Sequence, residues 1–309
     1  MPNYHLGFTS HMEVMFRNPE DMNHWFNCFC SALYKTDSVC YAESTMSDHN
    51  HNCTRTKQPG ELIRIARDSY TKYFNNKYSR KGPLGEKGVY VVEIEGLNHF
   101  LAELTYTLRN SVHHGIISSP FEYQYSSVNC YFMKQLGKAP YSGILLTPDE
   151  IQRVLPRRAE YDSKWKMGED GVFLRESVID ITAVETSFGT ARAFNYYMGR
   201  KSSEEWKKEQ MEDGSPLPPV TLESFERGLR KKGPSEESFA KMLRNESART
   251  PVFRITDLDL CHIIDTEYIP QFSCESVYHL SEWQKQQIAN ELLRKYHPGH
   301  SQLRRCLII

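Results

Sequence analysis

The sequence contains no run of about eighteen apolar residues, the length a helix needs to cross a bilayer, so no membrane span is expected. Its opening, MPNYHLGFTS, lacks the basic and then apolar layout of a secretory leader. The eight cysteines are scattered without a CxxC pair, in a chain too long to need disulfide staples. Reduced thiols in a cytoplasmic protein are the expectation. Net charge is only −1, so no global basic field announces a nucleic-acid partner. There is no internal repeat and no low-complexity tract. The closing CLII matches a prenylation box in letters alone; without an upstream polybasic run it reads as the end of an apolar helix face.

What is present supports a folded chain. The length of 309 residues suggests about two domains, and 39% hydrophobic with 25% charged residues provides for a packed core. Charge is unevenly spread. Between Arg55 and Lys87 the bases Arg55, Lys57, Arg64, Arg67, Lys72, Lys77, Arg80, Lys81 and Lys87 outnumber the acids Glu61, Asp68 and Glu86. Such a patch can steer an anionic ligand towards a neutral protein.

The first 140 residues alternate strand and helix patterns. Tyr4 to Phe16 reads as a strand running into a turn. A helix then opens with Asn18 as cap and Pro19 in its first turn, with Met22, Trp25, Phe26, Phe29 and Leu33 at helical spacing. SVCYAEST is strand-prone. GELIRIARDSYTKYFNNKYSRKG is a second amphipathic helix, halted by Gly82-Pro83. VYVVEIEG is a strand, and LNHFLAELTYTLRNSVHHG a third helix ending at Gly115. The order β-α-β-α-β-α predicts an α+β fold, a ferredoxin-like sandwich over residues 1–140.

Beyond Tyr141 the pattern is mostly helical. Residues 141–250 form a middle region without assigned chemistry, with a capping box at Thr147 to Glu150 and helices expected at Val184 to Met198, Ser203 to Met211 and Ser235 to Arg244. Residues 251–309 carry three short helical pieces, a pattern compatible with a helix-turn-helix-like module. His297 and His300 there read as surface residues.

The stretch SDHNHNCT holds two histidines one residue apart. If it is extended, His49 and His51 project from one face of a strand, where two neutral imidazoles can share a cation. Two surface histidines would look the same. In LTYTLRNSVHHG, Tyr106 and Asn110 stand four apart, on one helical face. That sets a phenol nucleophile beside an amide ligand, or equally a packed ring beside a locally bonded asparagine.

Taken together, these stretches resemble a known family. YTLRNSVHHGIISSPFEYQYSS (Tyr106 to Ser127) and SYTKYFNNKYSRKGPLG (Ser69 to Gly85) are similar to segments of the REP-associated tyrosine transposases, in the single-tyrosine HUH superfamily. Both follow a His-x-His at similar spacing, and the resemblance spans about residues 4 to 133. It implies Tyr106 as catalytic nucleophile and His49, His51 and Asn110 as ligands of Mg²⁺ or Mn²⁺. It also implies a single-stranded or hairpin DNA substrate, nicked and transferred through a 5′-phosphotyrosine intermediate, by a monomer or a homodimer. Arg64, Arg67, Lys72, Tyr73, Lys77, Arg80 and Lys81 are then expected to contact DNA, with Tyr70, Phe74 and Tyr78 as further stacking surfaces, although several of these aromatics must face the sheet to give the helix its apolar stripe.

Two departures bear on that expectation. The family places bulky apolar residues where this chain has Asn50 and Asn52, which on a strand would face the core. Ser111 and His113 stand in place of a proline and a common arginine. An alternative reading follows: a protein that recognises DNA structure without cutting it.

Overall fold

A computed structural model describes residues 1–10, 12–86, 88–114, 116–156, 159–199 and 255–309. The helices expected at Ser203 to Met211 and Ser235 to Arg244 lie outside these residues. The first half runs β1 (Asn3–Gly7), α1 (Pro19–Lys35), β2 (Val39–Thr45), β3 (Asn50–Arg55), α2 (Pro59–Lys77), β4 (Tyr90–Ile94), α3 (Gly96–Leu108) and α4 (Asn110–His113). The strands form one antiparallel sheet in the order β2-β3-β1-β4, so the fold is mixed α/β around a four-stranded sheet.

Local chemistry sets the element ends. Asn18 caps α1 by accepting from the Asp21 amide, with Pro19 in the first turn, as its sequence predicts. The second helix stops at Lys77, earlier than the Gly82-Pro83 break predicts. Ser79 takes a left-handed conformation (φ 51°), and the Arg80 amide turns back onto the Asn75 carbonyl. The third helix is not continuous to Gly115. It breaks at Arg109 (φ −102°, ψ 6°), and Asn110 opens the short α4.

The two faces of the sheet are covered differently. Leu6 and, beyond it, Phe8 face the α1–α2 layer, where Phe8 meets Trp25 (5.0 Å between centroids) and Trp25 meets Tyr70 (5.8 Å). His5, His51 and Cys53 face α3, with Cys53 Sγ 3.3 Å from Thr107 Oγ1. Gly7, at the end of β1, lies close against the backbone of β3. A Cβ there would sit 2.2 Å from the Asn50 carbonyl oxygen, so only glycine fits without moving β3.

Residues 120–132 wrap the β2 edge. Thr45 N donates to the Tyr125 carbonyl (2.9 Å), Glu43 N donates to Ser127 Oγ (3.0 Å), and Tyr123 Oη donates to the Thr45 carbonyl (2.6 Å). Helices α5 (Pro148–Val154), α6 (Arg175–Val178), α7 (Ile181–Phe188) and α8 (Ala191–Gly199) join this same apolar core. The helix expected at Val184 to Met198 is two, because Gly189 adopts φ 75° and ends α7.

The tail comprises α9 (Asp257–Ile263), a π turn over Ile264–Tyr268, α10 (Glu282–Tyr296) and α11 (His300–Leu307). It builds a second apolar cluster, which takes in Val14 from the first half. Cys306 and Leu307 are buried within it, as the apolar-face reading of CLII predicts, while His297 and His300 are exposed. Among the described residues, no helix is long and apolar enough to cross a membrane.

Candidate active site

The turn between β2 and β3 is pinned on several sides, and this fixes the histidines. Ser10 N donates to the Asp48 carbonyl (2.8 Å), Met46 N to the His49 carbonyl (2.8 Å) and Asn50 N to the Phe8 carbonyl (3.2 Å). His49 pairs as an isolated bridge with Thr9, and regular β3 begins at Asn50. From there the alternation of the strand sends His51 to the α3 side and Asn50 and Asn52 to the other.

The four residues singled out for chemistry come together. The His49 and His51 rings lie 5.2 Å apart between centroids. The Tyr106 ring is 5.0 Å from His51, nearly perpendicular to it, and 5.8 Å from His5. The helix break at Arg109 does not carry Asn110 away, because its Oδ1 stands 2.8 Å from His49 Nε2. Tyr106 is half-buried and Asn110 fully buried. His113 and His114 line the rim, with His114 4.6 Å from His49 and His113 6.0 Å from Tyr106.

Behind this set lie residues the sequence does not single out. His5 Nε2 is 2.8 Å from His51 Nδ1, and His5 Nδ1 bonds Glu103 of α3. Glu103 also meets His99 Nε2 at 3.4 Å. Asp48 Oδ1 bonds His49 Nδ1 at 2.6 Å. The structural link is positional: His5 pairs in the ladder with Cys53, which shares the β3 face of His51, and Glu103 precedes Tyr106 by three on α3, near one helical turn. Of these, only the spacing of Glu103 and Tyr106 was available in sequence.

The electrostatics follow from burial and from these pairs. Burial pushes the Glu103 carboxyl up, but its bonds to His5 and His99 prevail and hold it at about 2. Asp48 is likewise raised by burial and lowered overall by His49 and Arg305. Burial and the surrounding imidazoles push His51 well below its usual value, so it is neutral. Burial, then Glu103, raises the Tyr106 phenol, while hydrogen bonding with Asn110 opposes that rise.

These residues could hold a divalent cation. Ionised Asp48 only accepts, so His49 Nδ1 donates to it, and a neutral His49 ring then carries its lone pair on Nε2. That lone pair faces a second acceptor, Asn110 Oδ1, at 2.8 Å. Two acceptors so close need a proton on Nε2, an amide turned over, or a cation shared between them. Asn110 Nδ2 is buried without a partner in the protein, so the amide is not satisfied by protein groups alone. Among the described residues, no three His, Cys, Asp or Glu side chains form a metal-binding group. The donor set here is two imidazoles and an amide oxygen.

The basic helix is not brought to this site. Helix α2 lies on the opposite sheet face, and much of its charge is engaged within the protein. Arg64 pairs with Glu61 and Asp68, Lys77 with Glu20 and Asp21, and Arg80 with Glu13. Arg67 donates to the Leu84 carbonyl (3.1 Å). Lys72 and Lys81 are exposed. Of the aromatics expected to offer stacking surfaces, Tyr70, Phe74 and Tyr78 are instead buried in the core, because α2 turns its apolar stripe to α1, while Tyr73 is half-buried and lies against His24 at 3.7 Å.

No protein-family model matches the sequence, and no curated protein matches it. Among solved structures, a REP-associated tyrosine transposase bound to a REP hairpin aligns over 46% of this chain and 86% of its own. The identity is 10% and the TM-score 0.37. A likeness so loose is silent about activity.

Proposed function

We propose that this chain is a metal-dependent, tyrosine-type DNA nickase and strand transferase, built on a ferredoxin-like HUH domain. The observation that carries the reading is the convergence of His49, His51, Tyr106 and Asn110 from two separate stretches of chain. The resemblance of Tyr106 to Ser127 and Ser69 to Gly85 to the REP-associated transposases points the same way. The strand order β2-β3-β1-β4 with a helix after β1 and after β3 suits the ferredoxin-like arrangement.

His49, His51 and Asn110 would hold Mg²⁺ or Mn²⁺. A divalent ion at such a site neutralises charge on the non-bridging oxygens of a phosphodiester. The remaining work falls to the chain. Tyr106 Oη attacks phosphorus: the O–P bond to tyrosine forms as the P–O3′ bond breaks. The phenol loses its proton and the departing 3′ oxygen gains one, so no outside energy is consumed. Phenolate is a good leaving group, and a second strand's 3′ hydroxyl can therefore take the 5′-phosphate back. The substrate class is single-stranded or hairpin DNA, and Tyr106 serves its own or a second copy's ion. Rim residues His113 and His114 are better placed than α2 to meet the reacting phosphate.

Incubating the protein with a hairpin oligonucleotide and Mn²⁺ should give a protein–DNA adduct that survives denaturation. Tyr106→Phe should reduce it at least a hundredfold. Equal yields from both proteins would remove the nucleophile assignment. A second reading, DNA-structure recognition without cutting, draws on the raised Tyr106 phenol, which attacks poorly unless a cation assists it. It predicts salt-sensitive hairpin binding and no adduct under any divalent ion.

A further inference from the structure

Behind the candidate ion site, β1 and α3 contribute a buried His5–Glu103 pair that no step above employs. His5 is 1% exposed and Glu103 8%, and such a pair in a sheet-to-helix interface needs a reason, since apolar residues would pack there at lower cost. The pair does not end on itself. Glu103 is an acceptor only, so His5 Nδ1 must donate to it. With Nδ1 engaged, His5 has only Nε2 left to meet His51, and it lies 2.8 Å from His51 Nδ1. A proton donated from His51 Nδ1 to that atom leaves the lone pair free on His51 Nε2. On the other side, Asp48 imposes the same tautomer on His49 directly, at 2.6 Å.

We infer that His5 and Glu103 are positioning residues: through a carboxylate–imidazole–imidazole chain they fix the tautomer and ring orientation of His51 for the ion. This rests on the ion-binding reading above. Hydrogen bonds behind metal-binding histidines commonly change affinity by about 10–100-fold when removed. Here the chain spans both layers, from α3 across β1 to β3, so the ring is set by the sheet rather than by the mobile end of one side chain. His5 lies 5.8 Å from Tyr106 between ring centroids, and the same chain therefore also fills the wall against which the phenol packs.

The test uses the full chain, with Mn²⁺ alone as probe and ¹⁵N chemical shifts of the His51 ring, assigned against His51→Gln. Wild type should show His51 protonated at Nδ1. His5→Leu removes the acceptor and should mix the tautomers and weaken Mn²⁺ binding about 10–100-fold. His5→Gln can accept from His51 and donate to Glu103, and should restore most of the affinity. Where His5→Leu does not fold, Glu103→Leu, which strands the His5 donor, should give the same two changes. A folded leucine variant with the wild-type His51 tautomer and wild-type Mn²⁺ affinity would overturn the inference, as would wild-type His51 protonated at Nε2. If wild type binds no Mn²⁺, the ion reading fails, and the tautomer shifts alone then decide the chain: lost in His5→Leu they sustain it, unchanged they end it.

Discussion

Asn50 and Asn52 sit on the core side of β3, at 1% exposure each, where apolar side chains would ordinarily pack. They answer each other in part: Asn52 Nδ2 donates to Asn50 Oδ1 at 2.8 Å and towards the Leu6 carbonyl at 3.4 Å. Asn50 Nδ2 and Asn52 Oδ1 remain without partners in the protein. Removing one member of a buried amide pair strands the other, whereas removing both leaves nothing unpaired. A double-mutant cycle with Asn50→Ala and Asn52→Ala should therefore return a favourable coupling of about 1 kcal/mol by urea denaturation. Additive single effects would mean that the bond between the two amides contributes nothing. Position along the strand made these residues readable as core amides from sequence. Their mutual bond was not readable, because it depends on side-chain rotation rather than on spacing.

Among the elements, α1 and α2 form the layer whose chemistry differs most from its sequence pattern. Lysines and arginines interleaved with aromatics on α2 look like a nucleic-acid track, yet the aromatics fill the groove against α1 and Glu20 and Asp21 take up Lys77. Composition reports which groups are present, not which helix carries their counter-charges. The elements themselves were legible: caps, prolines and periodicity gave α1, β2, β4 and the α5 start. The break at Arg109 and the stop at Ser79 were not, since neither is a glycine or proline. This layer also holds a pH-sensitive contact. His24 stacks on Tyr73, and burial above all lowers its imidazole to about 4, with Glu20 opposing and Lys77 adding to the shift. The unfolded chain takes up that proton near pH 6.5 and the folded chain only near 4. Stability supplied at pH 7 is therefore lost as pH falls through that interval. His24→Phe, which keeps the ring stack, should flatten the decline in unfolding free energy between about pH 7 and pH 4.5 by roughly 1–2 kcal/mol, after allowance for partial solvent screening. Parallel pH profiles for the two proteins would exclude His24 as the cause.

Across the whole molecule, the tail helices are tied to the half that carries the candidate site. Arg17, wholly buried after β1, donates through Nε and Nη2 to Asp265 (3.0 and 2.7 Å) and through Nη1 to the Cys306 carbonyl (3.0 Å). Arg305 of α11 lies between Asp48 and Asp257 (3.4 and 3.1 Å), and Ser47 donates to Asp257 at 2.8 Å. The turn bearing His49 is thus held from the sheet on one side and from the tail on the other. A buried guanidinium without its counter-charge is far worse than none, because its solvation is lost and nothing replaces it. Asp265→Ala should accordingly cost about 3–5 kcal/mol in urea denaturation, and Arg17→Met with Asp265→Leu much less than that single change. If the tail is bound to the first half through this pair, Asp265→Ala should also loosen the Ser47–Asp257 contact, seen as faster amide exchange at Met15 and Phe16, both of which donate to the Ser47 carbonyl. A loss below about 1 kcal/mol, with those amides as protected as before, would mean that the tail's apolar cluster around Val14, Leu260 and Leu303 holds the two halves together without the ion pair.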